Sequence, residues 1–287
     1  MLRSIKSKYL NPLIDATGKL FLRNRDAEYR LYKKKIITAG ELYRLKYSRE
    51  KISESVLFGK RIHVTDAFWF LHSLKELFEE ETYKFESANP APIILDCGAN
   101  MGLSSIYFKR LFPQAKIVAF EPDAAIAGMM KQNLVAFGHT DVTIEQKAVW
   151  IADTTLEFNA SGGLGGTLAA GHSEAAPGNI ITVGAVRLRN YLEQKVDFLK
   201  IDIEGAEVTV LKDCADRLAN VERLFVEYHS TPGQEQELDV LLTILKSAGF
   251  RIYIKDAWNN LPYPFLHNHY KPFYDLQLNI FAYRENS

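Results

Sequence analysis

From Ile5 to about Glu54 the apolar positions recur at mixed spacings of three and four, through Leu13, Ile14, Leu20, Phe21, Tyr29, Leu31, Tyr32, Leu42, Tyr43 and Leu45. That spacing predicts short amphipathic helices, with Gly40 as a break between them. Alternation from Val56 to Val64 predicts a strand or hairpin arm, and Asp66 stands where it can cap a helix running from Ala67 through Glu81. The polar stretch Glu86 to Pro92, with its two prolines, reads as a linker. It divides a mostly helical region, residues 1–90, from a second region, residues 91–287.

Beyond the linker the pattern changes to strand, helix, strand. Ile93-Ile94-Leu95 is a short apolar run ending at Asp96, followed by a glycine-containing turn and a helix through Leu111. Lys116–Phe120, Val142–Val149, Phe198–Ile203, Leu224–Tyr228, Phe250–Lys255 and Leu276–Tyr283 read as further strands, and Ala124–Phe137 and Glu235–Ala248 as helices, the second closed by Gly249. Strands alternating with helices predict an α/β fold built on a mainly parallel sheet covered on both faces. No internal repeat is visible.

Composition narrows the class without naming an activity. Of 287 residues, 47% are apolar and 24% charged, which suits a chain with a sizeable core and excludes a mostly disordered one. No run of about 18 uninterrupted apolar residues is present to span a bilayer. The two cysteines, Cys97 and Cys214, are too few for a disulfide framework or a four-thiolate zinc site, so a reducing cytoplasm is the expected location. Met1 to Leu10 lacks the apolar core of a secretory signal. The zero net charge conceals a division. Residues 1–61 hold 16 Lys and Arg against 6 Asp and Glu, a balance of +10, which leaves −10 for the remainder. The basic region is either a solvated helical extension or a patch for an anionic membrane surface or a phosphorylated carrier. Nothing in it resembles a nucleic-acid module, and a homodimer and a folded-back arm are both open to it.

The first candidate chemistry lies in Asp96-Cys97-Gly98-Ala99-Asn100-Met101-Gly102, at the end of a strand and the start of a helix. Ligands of such sheets bind beyond the carboxyl ends of the strands, and glycines let the backbone approach them. The next strand ends in Phe120-Glu121-Pro122, where a carboxylate can accept from two ribose hydroxyls. A dinucleotide loop spaced G-x-G-x-x-G leaves a neutral helix start for pyrophosphate. Here the spacing is G-x-x-x-G, and Asp96 would repel a phosphate. S-adenosylmethionine carries an ammonium and a sulfonium and no phosphate, so Asp96 with Glu121 favours it over a nicotinamide dinucleotide. A ligand-free turn that simply needs glycines is the remaining reading.

At these residues the chain resembles the FkbM-like family of S-adenosylmethionine-dependent class I methyltransferases. The matching stretches are Ile94 to Gly102, Ala119 to Pro122, Lys147 to Val149, the block Phe198-Leu-Lys-Ile-Asp-Ile-Glu-Gly-Ala-Glu207, and Val226-Glu-Tyr-His229. The resemblance implies a Rossmann-like fold with a seven-stranded sheet whose last strand runs antiparallel, and O-methylation of a hydroxyl. It implies cofactor contacts from Asp96, Gly98, Ala99, Asn100, Gly102, Ser104, Glu121, Pro122, Ala148 and Asp202. Acceptors of such enzymes are commonly sugars, glycans or natural products, so a glycan acceptor is expected. A lipid-linked or polyketide-type alcohol is the alternative, ahead of a dinucleotide-dependent oxidoreductase or a non-catalytic binding protein.

A second acidic constellation follows. By the period of two, Lys200, Asp202 and Glu204 share one face of a strand, and Glu227 and His229 share a face of the next. Methyl transfer to an alcohol is helped by a positioned base. His229, oriented by Glu227 or Asp202, fits that role without a metal. As the alternative, Asp202, Glu227 and His229 supply ligands for a divalent ion such as Mg²⁺. A third reading has Lys200 pairing inside the sheet and His229 as a hydrogen-bonded strand end. Glu207 is expected to cap the helix that follows Gly205, with contact to substrate as the alternative. Two loops are candidate substrate selectors: the glycine-rich Ala160–Thr167 with the stretch to Asn179, read as a lid or a disordered surface loop, and the aromatic, Asn- and His-rich Trp258–Tyr270, suited to a sugar ring or equally to a plain hairpin connection that packs its aromatics on the N-terminal region. His267 and His269 are a weaker metal pair.

Overall fold

The computed structural model describes residues 29–160, 167–168, 179–269 and 272–285. Residues 1–28, most of the predicted lid and the side chains of His267 and His269 lie outside the described set. The chain divides into two compact units.

The first unit takes the described residues up to Phe85 together with Met101–Leu111 and Gly128–Thr140. It opens with helices α1 (Tyr29–Lys33) and α2 (Ala39–Tyr47). Gly40 does not break the pattern: it is the second residue of α2, whose start is fixed by Thr38 Oγ1 accepting the Glu41 N–H at 3.2 Å. Strands β1 (Glu54–Leu57) and β2 (Lys60–His63) form an antiparallel hairpin. Its two turn residues, Phe58 and Gly59, have φ of +49° and +77°, the backbone that a tight twisted hairpin demands. Asp66 caps α3 (Ala67–Leu74) as expected, Oδ1 accepting from the Phe68 and Trp69 N–H groups, and the coil then widens into one π turn over Lys75–Glu79. The unit also holds α4 (Leu103–Leu111) and the greater part of α5 (Ala124–Phe137). Its core is aromatic: Phe78 meets Phe58 and Tyr107 edge to face, and Tyr83 stacks on Phe108. Asn133, fully buried, donates to the His63 and Met101 carbonyls and accepts the His63 N–H at 2.8 Å.

The second unit carries, in chain order, β3 (Ile93–Cys97), β4 (Lys116–Phe120), β5 (Thr143–Glu145), β6 (Ala148–Trp150), β7 (Thr154–Ala160), β8 (Thr167–Leu168), β9 (Asn179–Arg187), β10 (Phe198–Ile201), α6 (Glu207–Cys214), β11 (Arg223–Ser230), α7 (Leu238–Ser247), β12 (Arg251–Trp258) and β13 (Leu276–Tyr283). Seven of these strands form one sheet in the order β12-β13-β11-β10-β3-β4-β5. Pairing is parallel from β11 through β5, and β13 runs antiparallel to both neighbours. This is the mainly parallel α/β sheet with an antiparallel last strand that the resemblance implies. Leu95, Leu199, Ile201, Val226 and Ile280 of the sheet pack with Val210, Leu211, Leu241 and Leu245 from α6 and α7. Successive strands are added outward from β3 in one direction and from β10 in the other, so β3 and β10 flank the switch point.

Two strand expectations need correction. Val142–Val149 is two strands, because the Lys147 N–H closes a tight turn on the Glu145 carbonyl and sends β6 into a different sheet from β5. That second sheet, β6-β9-β7-β8, has its own small core of Ala148, Phe158, Val183 and Ala185. The fourth predicted strand stops at Ile201, with Glu204 at φ +58° and Gly205 at φ +103°, so Asp202 and Glu204 are brought together by a turn and not by the pleat. No described helix is long and apolar enough to cross a membrane.

Candidate functional site

The carboxyl ends of β3 and β4 meet in a loop built from main chain. The N–H groups of Gly98 and Ala99 both donate to the Phe120 carbonyl. Gly98 has φ +79°, and a Cβ there would stand 1.8 Å from the Asp202 carbonyl oxygen, so only glycine lets the loop pass. Asn100 holds φ +48°, and its N–H donates to Glu121 Oε2 at 3.1 Å. The Asp123 N–H donates to Glu121 Oε1 at 3.0 Å. Glu121 is thus fixed at the end of β4 with one lone pair per oxygen still unassigned by these bonds, a pair of acceptors suited to a vicinal diol. Burial pushes its carboxyl up to about 7, with Asp123 adding repulsion and Lys200 opposing it. Pro122 is half-buried beside it.

Lys200 stands across the β3–β10 register from Asp96. Its buried ammonium lies 3.7 Å from Asp96 Oδ1 and 3.2 Å from Asp202 Oδ2, and donates to the Gly98 and Cys97 carbonyls. Burial disfavours the charged ammonium, but Asp202 and Asp96 raise its pKa above the ordinary lysine value. Lys200 therefore ties the turn to both acids.

The second constellation gathers round His229. Its Nδ1 lies 3.0 Å from Glu207 Oε1, and its Nε2 lies 3.5 Å from Glu227 Oε1 and 3.6 Å from Glu204 Oε2. The orienting carboxylate on Nδ1 is thus Glu207, and neither Glu227 nor Asp202 as the spacing suggested. Glu207, the first residue of α6, accepts from the Ile203 and Gly205 N–H groups, closing the turn at the helix start. Burial opposes protonation of His229, yet Glu207 and Glu204 hold its pKa well above the ordinary imidazole value. Burial, with Asp202 and Glu227 nearby, pushes Glu204 up to about 8 against the pull of His229; Glu227 is raised by burial and by Asp202.

The sequence pattern passes over Tyr274. Its hydroxyl donates to Glu204 Oε2 at 2.8 Å, its ring centroid lies 4.6 Å from that of His229, and Asn260 clamps its carbonyl and the Gln277 side chain. No strand or helix periodicity reaches Tyr274, although it follows closely on the aromatic segment singled out for substrate contact. Of the remaining candidates, Gly102 and Ser104 belong to the first unit, where a Cβ on Gly102 would press on Met130. Ala148 is buried in the core of the small sheet. Asp202, Glu227 and His229 each place one donor atom within 4.8 Å of the others.

The chain has recognisable relatives among known proteins. A family model described as the methyltransferase FkbM domain matches residues 96–252. The chain is 29% identical over 213 residues to methyltransferase sdnD of Sordaria araneosa, covering 58% of this chain and 78% of that one. It is 25% identical over 179 residues to the 2-O-methyltransferase NoeI of Sinorhizobium fredii, covering 55% and 72%. Among solved structures, an FkbM methyltransferase from Methylobacillus flagellatus aligns with a TM-score of 0.48 at 14% identity, over 72% of this chain and 47% of that one.

Proposed function

The chain belongs to the methyltransferase FkbM family, and from that premise we propose that it transfers a methyl group from S-adenosylmethionine to a hydroxyl of a sugar or glycan. The observation that carries the cofactor is Glu121, held by two main-chain N–H groups at the end of β4 with acceptor capacity left for a ribose diol. Asp96 and Asp202, beside the glycine turn at the switch point, give the acidic surroundings that an ammonium and a sulfonium prefer. When bound, the cofactor supplies a methyl carbon that accepts an oxygen electron pair while its bond to sulfur breaks.

The residues round His229 supply the other half. Glu207 locks the ring, and as long as no cation takes Nε2 the surrounding carboxylates favour the charged imidazole, so the proton acceptor we assign is Glu204. Tyr274 fixes its Oε2, and its side chain is 22% exposed and open to an acceptor. A carboxylate so placed takes the hydroxyl proton as the carbon–oxygen bond forms. The hydroxyl acceptor is supported by the relative named a 2-O-methyltransferase, and the glycan by the aromatic and amide side chains from Trp258 onward. The test is a screen of sugars and glycan fragments with methyl-labelled cofactor, the product's new O-methyl group being located by NMR. Label on a sugar oxygen supports the reading; label only on nitrogen, carbon or non-sugar alcohols contradicts it.

A further inference from the structure

We propose that Asp202, Glu227 and His229 form a site for one divalent cation of the Mg²⁺ or Mn²⁺ kind, with Mn²⁺ favoured by the imidazole ligand. This departs from the metal-free expectation drawn from the sequence. Four features of the fold carry it. The three donor atoms come from the carboxyl ends of two adjacent parallel strands and already lie within 4.8 Å of one another. His229 Nε2 stands 3.5 Å from Glu227 Oε1, close to the roughly 3 Å between neighbouring ligands around a cation that bonds at about 2.1 Å.

The second feature is what holds the ring. Glu207, buried to the same degree as His229, accepts two main-chain N–H groups and takes Nδ1, which leaves Nε2 aimed at the carboxylates. A carboxylate behind a histidine is the arrangement that orients metal-ligating imidazoles.

Charge is the third. Asp202, Glu204, Glu207 and Glu227 crowd one imidazole, while the one lysine of the cluster is shared with Asp96 and the turn carbonyls. Two positive charges placed among the acids offset that excess. The fourth is access: His229 and Glu207 are 1% exposed in their side chains, but Asp202 and Glu227 are 25% and 18% exposed. The site is closed behind and open in front, which leaves coordination positions for water or an acceptor hydroxyl. The catalytic meaning of the cation rests on the proposed O-methylation; its binding does not.

The experiment is titration of chelator-stripped, full-length protein with Mn²⁺, read by electron paramagnetic resonance, alongside Glu227→Gln and Glu207→Gln variants checked for folding by circular dichroism. One Mn²⁺ per chain is expected, weakened at least about tenfold by Glu227→Gln and by a similar factor by Glu207→Gln. Absence of binding up to millimolar Mn²⁺ in the folded parent overturns the site, as does binding that folded Glu227→Gln leaves unchanged. A parallel titration with S-adenosylhomocysteine keeps the two readings apart: its failure with Mn²⁺ still bound counts against the cofactor and not against the cation.

Discussion

On the proposed cofactor reading, Glu121 is a buried carboxylate that must stay ionised for its ligand. Burial lifts its pKa from about 4.5 to about 7, so ionising it inside the fold costs about 3 kcal/mol relative to the unfolded chain. The folded state therefore binds the extra proton, and this group's contribution to stability is greatest below pH 4.5, declines from there to pH 7 and is level above. A ribose diol donates to the ionised form, which gives binding the opposite slope. Affinity for S-adenosylhomocysteine should fall as pH drops below 7, approaching tenfold per unit, and Glu121→Gln should remove that slope. Calorimetric titration between pH 5.5 and 8 checks it. Gly98 is constrained by space: Gly98→Ala places a Cβ 1.8 Å from the Asp202 carbonyl on a backbone with φ +79°. The variant should lose at least about 3 kcal/mol or its cofactor binding, read by chemical denaturation and by the same titration.

The strand ends, helix starts and turns decide which of these residues meet. Asp66→Ala removes the acceptor for two N–H groups at the start of α3 and should cost about 0.5–2 kcal/mol, measured as a lowered unfolding midpoint in urea. Asn133→Leu strands the buried Met101 carbonyl and two part-buried main-chain groups of His63, and should cost more, roughly 2–3 kcal/mol on the same assay. Elements with strong local signals were legible in the residues: β4, α5 and β13 fall where the pattern places them. The acids at the ends of β3 and β4 were legible for the same reason, since apolar runs point to the residues that follow them. Glu204 was picked out as well, but through the wrong geometry, because a left-handed turn replaces the pleat after Ile201. The small sheet was missed although Leu156 and Phe158, and Ile181, Val183 and Ala185, alternate along β7 and β9, because the two strands pair across a long glycine-rich stretch that was read only as a loop. Tyr274 reaches the site through a loop, and Glu207 reaches back from a helix, so neither leaves a periodic trace.

Across the whole molecule the parallel sheet brings two kinds of chemistry to one edge. The β3–β4 side offers a glycine turn and a diol acceptor, the β10–β11 side a histidine locked among carboxylates, and Lys200 links the two through Asp96 and Asp202. In the proposed reaction the first side serves the methyl donor and the second the acceptor. The most direct test of that division is calorimetric titration of the full-length protein and its Glu121→Ala variant with S-adenosylhomocysteine. Micromolar binding by the parent, weakened at least about tenfold in a variant that unfolds at the same temperature or above, is the predicted result. No binding at millimolar concentration by the folded parent, or equal binding by the variant, contradicts it.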